Sequence, residues 1–224
     1  MSIFYLKIKF LLHKMTSNYL YVTYMSNDRD YKGALLLNFN LKQINSNYKL
    51  GCIVLENVSD KIKILFKKVG IKVFEFNLND VLDEFNFSDT YKKYIINKHY
   101  YGKFLIFKLI NYSKIVYLDT DLLIKTNIDH LFNKDTSSSI HMTYDVVTND
   151  IEKKTKFFKN MFNSGVIVLQ PNNLLYKKCF QKLLEFEHNL KFLNTDQTIL
   201  NQLNKSKEIN VEILEYRYNC VSTI

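Results

Sequence analysis

The chain has 224 residues, 47% hydrophobic and 24% charged, a composition that fits one large globular domain and excludes a disordered chain. One Pro and five Gly exclude collagen-like and Pro-rich architectures. The three Cys are far apart and odd in number, so we expect neither a disulfide scaffold nor a zinc ribbon, and no two of the five His stand four residues apart, so we expect no zinc-protease helix.

The net charge of +9 raises the question of a nucleic-acid partner. Of the 31 basic residues only Arg29 and Arg217 are arginines, and the lysines are scattered along the chain. Because the planar guanidinium group of Arg is favoured for binding bases and phosphates, this pattern disfavours nucleic-acid recognition. An A/T-rich genome explains the excess of Lys and Asn, and we expect no nucleic-acid partner.

The amino terminus is apolar over residues 3–12, but Lys7 and Lys9 interrupt the run. A membrane span needs roughly 20 apolar residues, and a signal peptide needs an uninterrupted apolar stretch. We therefore interpret residues 1–18 as an amino-terminal extension and residues 19–224 as a single domain. No membrane span and a cytoplasmic location are expected.

Strands and helices alternate along the first half of the chain. Apolar runs predict strands at residues 19–25, 51–55 and 72–76. Apolar residues at helical spacing predict one helix that begins after Asp30 and another over residues 59–69. This β-α-β-α-β order is typical of a parallel sheet with right-handed crossovers.

The second half predicts further elements of the same sheet. A helical stretch at residues 104–110 precedes a strand at 114–118, whose continuous apolar character suits a central strand buried on both faces. Additional strands are predicted at 140–144, 166–169 and 211–214, and helices at 173–186 and 195–203. The predicted fold class is α/β, with ligands at the carboxyl ends of the strands.

A pair of carboxylates follows the central strand in Asp119-Thr120-Asp121. In an extended chain, residues i and i+2 point to the same side, so both carboxylates can converge on one point. Hard oxygen ligands suit Mg²⁺ or Mn²⁺, which would neutralise a diphosphate leaving group. The spacing alone is weak, because Asp28 and Asp30 repeat it, and we interpret those two as a loop residue and a helix cap. The structural alternative for Asp119 is a helix N-cap or a solvated loop.

Several motifs accompany this pair in a fixed order. They are VTYMSND at residues 22–28, KGAL at 32–35, YLDTD at 117–121, FNSGV at 162–166 and DQTILN at 196–201. Together they resemble glycosyltransferase family 8, the glycogenin-like enzymes with a GT-A fold, a Rossmann-like single domain around a mostly parallel sheet. The resemblance extends over residues 19–219.

The resemblance implies a role for each matching residue. Asp119 and Asp121 would bind Mn²⁺, with Mg²⁺ as the alternative, and Lys103 would lie near the donor sugar. Asp196, the nearest candidate for a nucleophile, and Gln197, a stabilising residue, would contact the sugar at its anomeric carbon. The residues expected at the uracil and ribose are Thr23, Tyr24, Met25, Ser26, Asn27, Asp28 and Thr120. Those expected to line the sugar site are Asn163, Ser164 and Gly165.

Structural alternatives remain open for these residues. Residues 163–165 could form a turn into a strand, and Asp196 could be the N-cap of the following helix. Lys103 could lie on a solvated helix face.

The predicted function is metal-dependent, retaining transfer of a hexose, glucose or galactose, from a UDP-sugar to an acceptor hydroxyl. The family's late His-x-x-Gly-x-x-Lys-Pro segment, which supplies a metal ligand and a diphosphate contact, does not occur among the 224 residues. Three alternatives stay open: a truncated gene, an enzyme that uses water as the third metal ligand, and a nucleotide-sugar-binding relative without turnover. The acceptor (a glycan, protein, lipid or polyol) and homodimer formation also stay open.

Overall fold

The computed structural model of the protein describes residues 18–145, 161–187 and 195–220. The strands in these ranges are β1 (Tyr19–Met25), β2 (Leu50–Leu55), β3 (Lys72–Phe76), β4 (Lys114–Leu118), β5 (Ile140–Tyr144), β6 (Phe162–Leu169) and β7 (Val211–Ile213). They form one sheet in the order β3-β2-β1-β4-β6-β5-β7. Four of the six pairings described are parallel, and β6 runs antiparallel to both of its neighbours, β4 and β5.

Helices cover the two faces of this sheet. They are α1 (Tyr31–Gln43), α2 (Asp60–Val69), α3 (Leu78–Asp83), α4 (Asp89–Lys98), α5 (Asn173–Glu185) and α6 (Asp196–Lys205). Four 3₁₀ segments stand between the described elements, at Asp28–Asp30, Tyr100–Lys108, Asp129–Asn133 and Tyr216–Tyr218.

The central strand β4 contributes to two hydrophobic cores, one on each face of the sheet. Ile115 and Tyr117 pack on the face covered by Tyr100–Lys108, α5 and α6, whereas Val116 and Leu118 pack on the face covered by α1 and α2. Because side chains alternate along a strand, a strand covered on both faces is apolar at successive positions. This burial accounts for the continuous apolar run seen in the sequence.

Most of the predicted elements are confirmed. Strands β1, β3, β4 and β5 have the predicted bounds, and α2 is preceded by Ser59 and ends at Gly70. Gly70 has a φ of 87°, the left-handed conformation that glycine adopts readily at the end of a helix. The predicted α/β class therefore holds for the described ranges.

Three differences concern the region around the predicted site. The helical stretch predicted at 104–110 is a buried 3₁₀ segment at Tyr100–Lys108. Strand β6 begins at Phe162 rather than at residue 166, because residues 162 and 163 pair with β5 across an irregularity in register. Helices α3 and α4 were not predicted.

Two further predictions from the sequence concern an amino-terminal extension and the absence of a membrane span. The predicted amino-terminal extension, residues 1–18, lies outside the described residues except for Asn18. Among the described residues, no helix has both the length and the apolar character that crossing a membrane requires.

Candidate active site

One edge of the sheet gathers the predicted site residues. Strands β1 and β4 are parallel and both end at this edge, and β6 is antiparallel to β4 and β5, so β6 begins there and β5 ends there. The backbone N–H of Asp119 donates to the carbonyl oxygen of Gly165 at 2.8 Å, which ties the residue after β4 to β6. The topology thus brings the residues after β1, β4 and β5 and the start of β6 to one place.

Helix α1 approaches the loop at residues 119–121 closely enough to require glycine. A Cβ atom at Gly33 would overlap the carbonyl group of Thr120, and backbone atoms cannot move aside as a flexible side chain can. The glycine of the KGAL motif therefore allows α1 to pack directly against the loop that carries the two carboxylates.

Lys103 is the buried cation of the site, with only 7% of its surface exposed. Its Nζ lies 2.7 Å from Oδ2 of Asp196 and 3.1 Å from Oδ1 of Asp119. It also donates to the hydroxyl of Ser164 at 3.2 Å and stands 5.0 Å from the ring centroid of Tyr117. The alternative of a solvated helix face is wrong for Lys103.

The protonation of Lys103 depends on the two carboxylates beside it. Burial by itself lowers the pKa of Lys103, but the negative charges of Asp196 and Asp119 outweigh it and raise that pKa above its ordinary value. Burial also raises the pKa of Asp119, against the opposing effects of Lys103 and of the Tyr117 hydroxyl, which donates to Oδ1 at 2.6 Å. Lys103 is therefore a permanent cation at neutral pH, held between two carboxylates.

Asp196 is the first residue of α6, where the helix dipole favours a negative charge. Its Oδ2 accepts a hydrogen bond from the Ser164 hydroxyl at 2.6 Å as well as the contact from Lys103. The residue that caps α6 is Thr195, whose side chain accepts from the N–H of Thr198. The alternative of an N-cap role for Asp196 is therefore wrong.

Residues 163–165 lie within β6, so the alternative of a turn is also wrong. Thr143 of β5 pairs with Asn163 while Met142 pairs with Ile167, a bulge that leaves residues 164–166 without partners on β5. Within the bulge, Oδ1 of Asn163 accepts from the Gly165 N–H at 2.7 Å and from the Asn219 side chain at 2.6 Å. The bulge directs the Ser164 hydroxyl to Asp196 and Lys103.

Gly165 allows close packing at the centre of the site. A Cβ atom there would stand 2.8 Å from Nδ2 of Asn219 and 3.3 Å from Oδ2 of Asp119. A larger residue at this position would therefore force the Asn219 side chain to move and would crowd the carboxylate of Asp119.

Asp145 also belongs to the site, although no sequence motif identified it as a site residue. Its two carboxylate oxygens accept from Gln197 Nε2 at 2.8 Å and from Asn163 Nδ2 at 3.3 Å. Gln197 in turn accepts from the Ser164 N–H at 3.3 Å. The signal that could have found it is its place directly after the predicted strand 140–144, the same position that Asp119 has after β4.

The residues expected to contact the nucleotide lie in β1 and in the loop that follows it. Their side chains differ in burial and in hydrogen bonding. The side chains of Thr23 and Met25 are fully buried, so only their main-chain groups could face a ligand. The Tyr24 hydroxyl donates to the carbonyl oxygen of His99 at 2.5 Å. Asn27 donates to the hydroxyl of Ser26 at 3.1 Å and caps the 3₁₀ segment that follows.

Asp28 is exposed and begins the 3₁₀ segment that precedes α1. It accepts from the Ser59 N–H at 2.8 Å, and this hydrogen bond holds the pKa of Asp28 below its usual range. Asp30 precedes α1 without a side-chain capping bond. Asp30 stands at the expected cap position but makes no capping bond, and Asp28 lies in a 3₁₀ segment rather than in the expected loop.

The donor set at residues 119–121 fits a hard cation. One oxygen of Asp119, Oδ1, is occupied by Tyr117 and Lys103, whereas Oδ2 accepts no hydrogen bond within the described ranges. Asp121 is exposed and forms no hydrogen bond or ion pair with any residue that the structure describes. The described part of the chain contains no group of three or more His, Cys, Asp or Glu side chains placed so that they could hold a metal ion by themselves. Two carboxylates of this kind suit Mg²⁺ or Mn²⁺, which keep water and substrate phosphates as further ligands.

Comparison with known proteins decides the family. The model of glycosyl transferase family 8 matches residues 14–224. The chain belongs to glycosyl transferase family 8. It is 29% identical to human glycogenin-2 over 185 residues, which cover 81% of this chain and 32% of glycogenin-2. It is 28% identical to galactinol synthase 1 of Solanum lycopersicum over 176 residues, which cover 73% of this chain and 54% of that protein. The chain thus spans about a third to a half of the length of these curated relatives.

Solved structures of two glycosyltransferases share the fold of this chain. The galactosyltransferase LgtC, in complex with donor and acceptor sugar analogues, superposes with a TM-score of 0.60 at 18% identity over 88% of this chain and 74% of its own. Mouse xyloside xylosyltransferase 1 superposes with a TM-score of 0.57 at 17% identity over 89% of this chain and 85% of its own. These similarities confirm the predicted GT-A fold.

Proposed function

We propose that the protein is a metal-dependent, retaining glycosyltransferase that moves glucose or galactose from a UDP-sugar to an acceptor hydroxyl. The observation that carries the proposal is the buried Lys103, held between Asp119 and Asp196 at the edge where β4 ends. Family membership supports the same reaction class, and the glycogenins and galactinol synthases among the relatives support a hexose donor.

Lys103 positions Asp119. It holds Oδ1 together with the Tyr117 hydroxyl and leaves Oδ2 without a hydrogen bond inside the described ranges. Asp119 and Asp121 would hold Mn²⁺ or Mg²⁺, which when bound neutralises the charge on the diphosphate leaving group. Because Lys103 and Tyr117 fix Asp119 in advance, binding the donor would require little reorganisation of this carboxylate.

Transfer breaks the bond between the anomeric carbon and the diphosphate oxygen, which leaves with the electron pair. The acceptor oxygen forms the new bond on the same face of the sugar, and its proton passes to the departing diphosphate oxygen. Asp196 shares Oδ2 between Lys103 and Ser164, and both contacts reduce its nucleophilicity. We therefore propose that the acceptor attacks on the leaving-group face and that no covalent intermediate forms on Asp196. The role of Asp196 is to balance the positive charge of Lys103.

Release of UDP from UDP-glucose and UDP-galactose in the presence of Mn²⁺ tests the proposal. Asp119→Asn and Asp121→Asn should each lower the rate by about 10–100-fold or more, since each removes an ion ligand. Asp30→Asn is the matched control and should leave the rate unchanged, because Asp30 is an exposed carboxylate whose side chain makes no hydrogen bond to a residue that the structure describes.

Turnover that is unchanged in both Asp119→Asn and Asp121→Asn would overturn the proposed site. Tight binding of UDP with no turnover across a panel of UDP-sugars would instead identify a nucleotide-sugar-binding relative.

A further inference from the structure

A second cleft lies at the edge of the sheet opposite the candidate active site. Strand β6 ends at this edge, and β5 and β7, which are parallel to each other, both begin there. The cleft has a volume of about 210 Å³ and is lined by the loop before β5, the start of α5 and the turn before β7. Ser164 stands five residues before the end of β6, about 17 Å along a strand, so a small ligand in this cleft would not reach Lys103 or Asp119.

The loop before β5 is held by hydrogen bonds at both of its ends. Nε2 of His141 donates to the carbonyl oxygen of Asp135 at 2.6 Å, and the Ser139 hydroxyl donates to Glu212 at 2.9 Å. The carboxylate of Asp135 accepts from the Ser137 N–H at 2.9 Å. A ligand that binds against a loop fixed in this way loses little of its affinity to ordering the protein.

Thr136 of this loop presents a hydroxyl that has no partner. The residue is 7% exposed and lines the cleft, and its hydroxyl makes no hydrogen bond to any residue that the structure describes. The unpaired hydroxyls of Thr23 and Thr143 are sealed from solvent, but the Thr136 hydroxyl is not among the sealed atoms, so it opens into the cleft. Because a buried polar group normally has a hydrogen-bond partner, this hydroxyl is a candidate contact for a ligand.

The other open polar groups of the cleft are also neutral. They are the hydroxyls of Ser137 and Ser138 and the side-chain amides of Gln170 and Asn210, which form no side-chain hydrogen bond within the described ranges. Hydroxyl and amide groups can each donate and accept a hydrogen bond. The hydroxyls of a polyol have the same double capacity, so the two sets are complementary.

The charged groups around the cleft are already paired with protein groups. Nζ of Lys178 donates to the main-chain carbonyl oxygen of Glu208 at 2.6 Å. The carboxylate of Glu208 accepts from the Ser206 hydroxyl at 2.7 Å and lies 2.8 Å from Lys182, which also pairs with Glu185 at 2.9 Å. These two lysines and two glutamates carry no net charge together. The wall therefore offers no charge excess that would favour an ionic ligand.

An apolar surface completes the cleft. It is formed by Ile140, Leu175, Ile209 and Leu174, of which Leu174 is 65% exposed on the first turn of α5. The C–H groups on one side of a sugar or cyclitol ring could cover Leu174 and remove its apolar surface from water. The cleft thus combines neutral hydrogen-bonding groups with an apolar wall.

We propose that this cleft is a second, non-catalytic site for a neutral polyol of about the size of one monosaccharide, either a free sugar or the terminal residue of a glycan. Pockets for drug-sized ligands have volumes of about 300–1,000 Å³, so the smaller volume here suits a single ring. The inference does not depend on the proposed function, because none of the cleft residues belongs to the candidate active site.

Titration followed by ¹⁵N–¹H NMR tests the site, because it shows where a probe binds without requiring turnover. The probes are methyl α-glucopyranoside, myo-inositol and maltotriose, each added in the presence of UDP and Mg²⁺, and inorganic phosphate is the anionic comparison. We expect at least one polyol to cause saturable shifts in the amide signals of residues 136–140 and 208–210. Tighter binding of maltotriose than of the glucoside would identify a glycan end as the source, and equal binding would identify a free sugar.

Two variants test the contacts that carry the inference. Thr136→Val keeps the shape of the side chain but removes its hydroxyl, and it should weaken binding by about 3–10-fold. Leu174→Ser changes an exposed residue, so the fold should be preserved, and it should also weaken binding by about 3–10-fold. The matched controls are Thr126→Val and Ile64→Ser, at exposed residues outside the cleft, and they should leave the affinity unchanged.

The same titrations would overturn the inference in any of three ways. One is the absence of saturable shifts at the cleft with every polyol, or shifts confined to residues 119–121 and 163–165. Another is an affinity that neither Thr136→Val nor Leu174→Ser changes. The third is a cleft that phosphate saturates and polyols do not, which would make the ligand an anion. UDP-sugar turnover does not enter any of these results, so the inference and the proposed function can fail separately.

Discussion

Asp129 and Asp119 are two carboxylates in different parts of the fold. They differ in how many of their oxygens are engaged by neighbouring groups. Both oxygens of Asp129 are fully engaged by neutral donors. Oδ1 accepts from the Tyr21 hydroxyl at 2.9 Å and from the Ser46 hydroxyl at 2.6 Å, and Oδ2 accepts from the main chain and side chain of Asn47 at 2.8 and 3.0 Å. Burial raises the pKa of Asp129, but these hydrogen bonds outweigh it and lower that pKa below its usual range.

Asp119 has the opposite balance. Burial raises its pKa, and the contacts with Lys103 and Tyr117 compensate only in part. Only Oδ1 is engaged, and Oδ2 is left without a hydrogen bond in the described ranges. A carboxylate satisfied on both oxygens stabilises the fold, whereas one left half-satisfied beside a buried cation keeps an oxygen for a ligand.

The largest effect is expected at Lys103. Lys103→Met leaves the buried Asp196 and the partly exposed Asp119 without their cation, which should lower the free energy of unfolding by about 3–5 kcal/mol. Urea denaturation at neutral pH measures this loss. Lys125→Met, at an exposed lysine, should change stability by no more than about 0.5 kcal/mol. Equal stability of the two variants would show that the buried ion pairs contribute nothing.

Asp129→Ala should affect stability alone. It leaves the Tyr21 and Ser46 hydroxyls and the Asn47 N–H without their acceptor, at a cost of about 1–3 kcal/mol in unfolding free energy. Thermal unfolding measures the loss, and UDP affinity measured on the folded protein should equal that of the wild type. A weaker UDP affinity would contradict the division between the two carboxylates.

Gly33→Ala should lower both the free energy of unfolding and the affinity for UDP. The added methyl group meets the Thr120 carbonyl, so either α1 or the loop at residues 119–121 must move, at a cost of about 1–3 kcal/mol. UDP affinity in Mn²⁺ should fall with stability. Leu36→Ala, at an exposed site on the same helix, is the control and should leave UDP affinity unchanged. A Gly33→Ala protein with normal stability and affinity would contradict the close packing.

The smallest effect is a difference in pH dependence. The lowered pKa of Asp129 gives stability that is present above about pH 3.8 and lost as the pH falls through its folded-state pKa. Asp129→Asn should therefore have a lower free energy of unfolding than the wild type over most of a denaturation series from about pH 3 to pH 8. The difference should disappear only at the acid end of the series.

Asp119 should show the reverse sign in metal-free buffer. A raised pKa gives stability that is present below about pH 3.8 and lost as the pH rises through the folded-state value. Asp119→Asn should therefore gain stability relative to the wild type toward neutral pH. Parallel pH profiles for the two Asn variants would contradict the comparison.

The sheet could be predicted closely from the sequence because its central strands are buried on both faces. A short apolar run rich in β-branched and aromatic residues favours a strand over a helix, which explains why the predicted bounds of Tyr19–Met25 and Lys114–Leu118 agree to the residue. Helix α3 has six residues, too few to show a helical period. The bulge in β6 depends on its pairing with β5, and register between distant strands is not visible in a local pattern.

The site could be predicted in part, through motifs at strand and helix ends. Asp119 and Asp196 stand at such ends, and the structure brings both to Lys103. The burial of Lys103 could not be derived from its own segment, because its counter-ions come from β4 and α6. Asp145 lacked a motif, and its role becomes visible only when Gln197 is placed beside it.

Calorimetric titration of UDP into the protein, with and without Mn²⁺, tests the central claim most directly. We expect binding that requires Mn²⁺ in the wild type and in Asp30→Asn, and that is lost in Asp119→Asn. This result would show that Asp119 holds an ion on which UDP binding depends. Equal binding of UDP with and without Mn²⁺, or an unchanged affinity in Asp119→Asn, would contradict it.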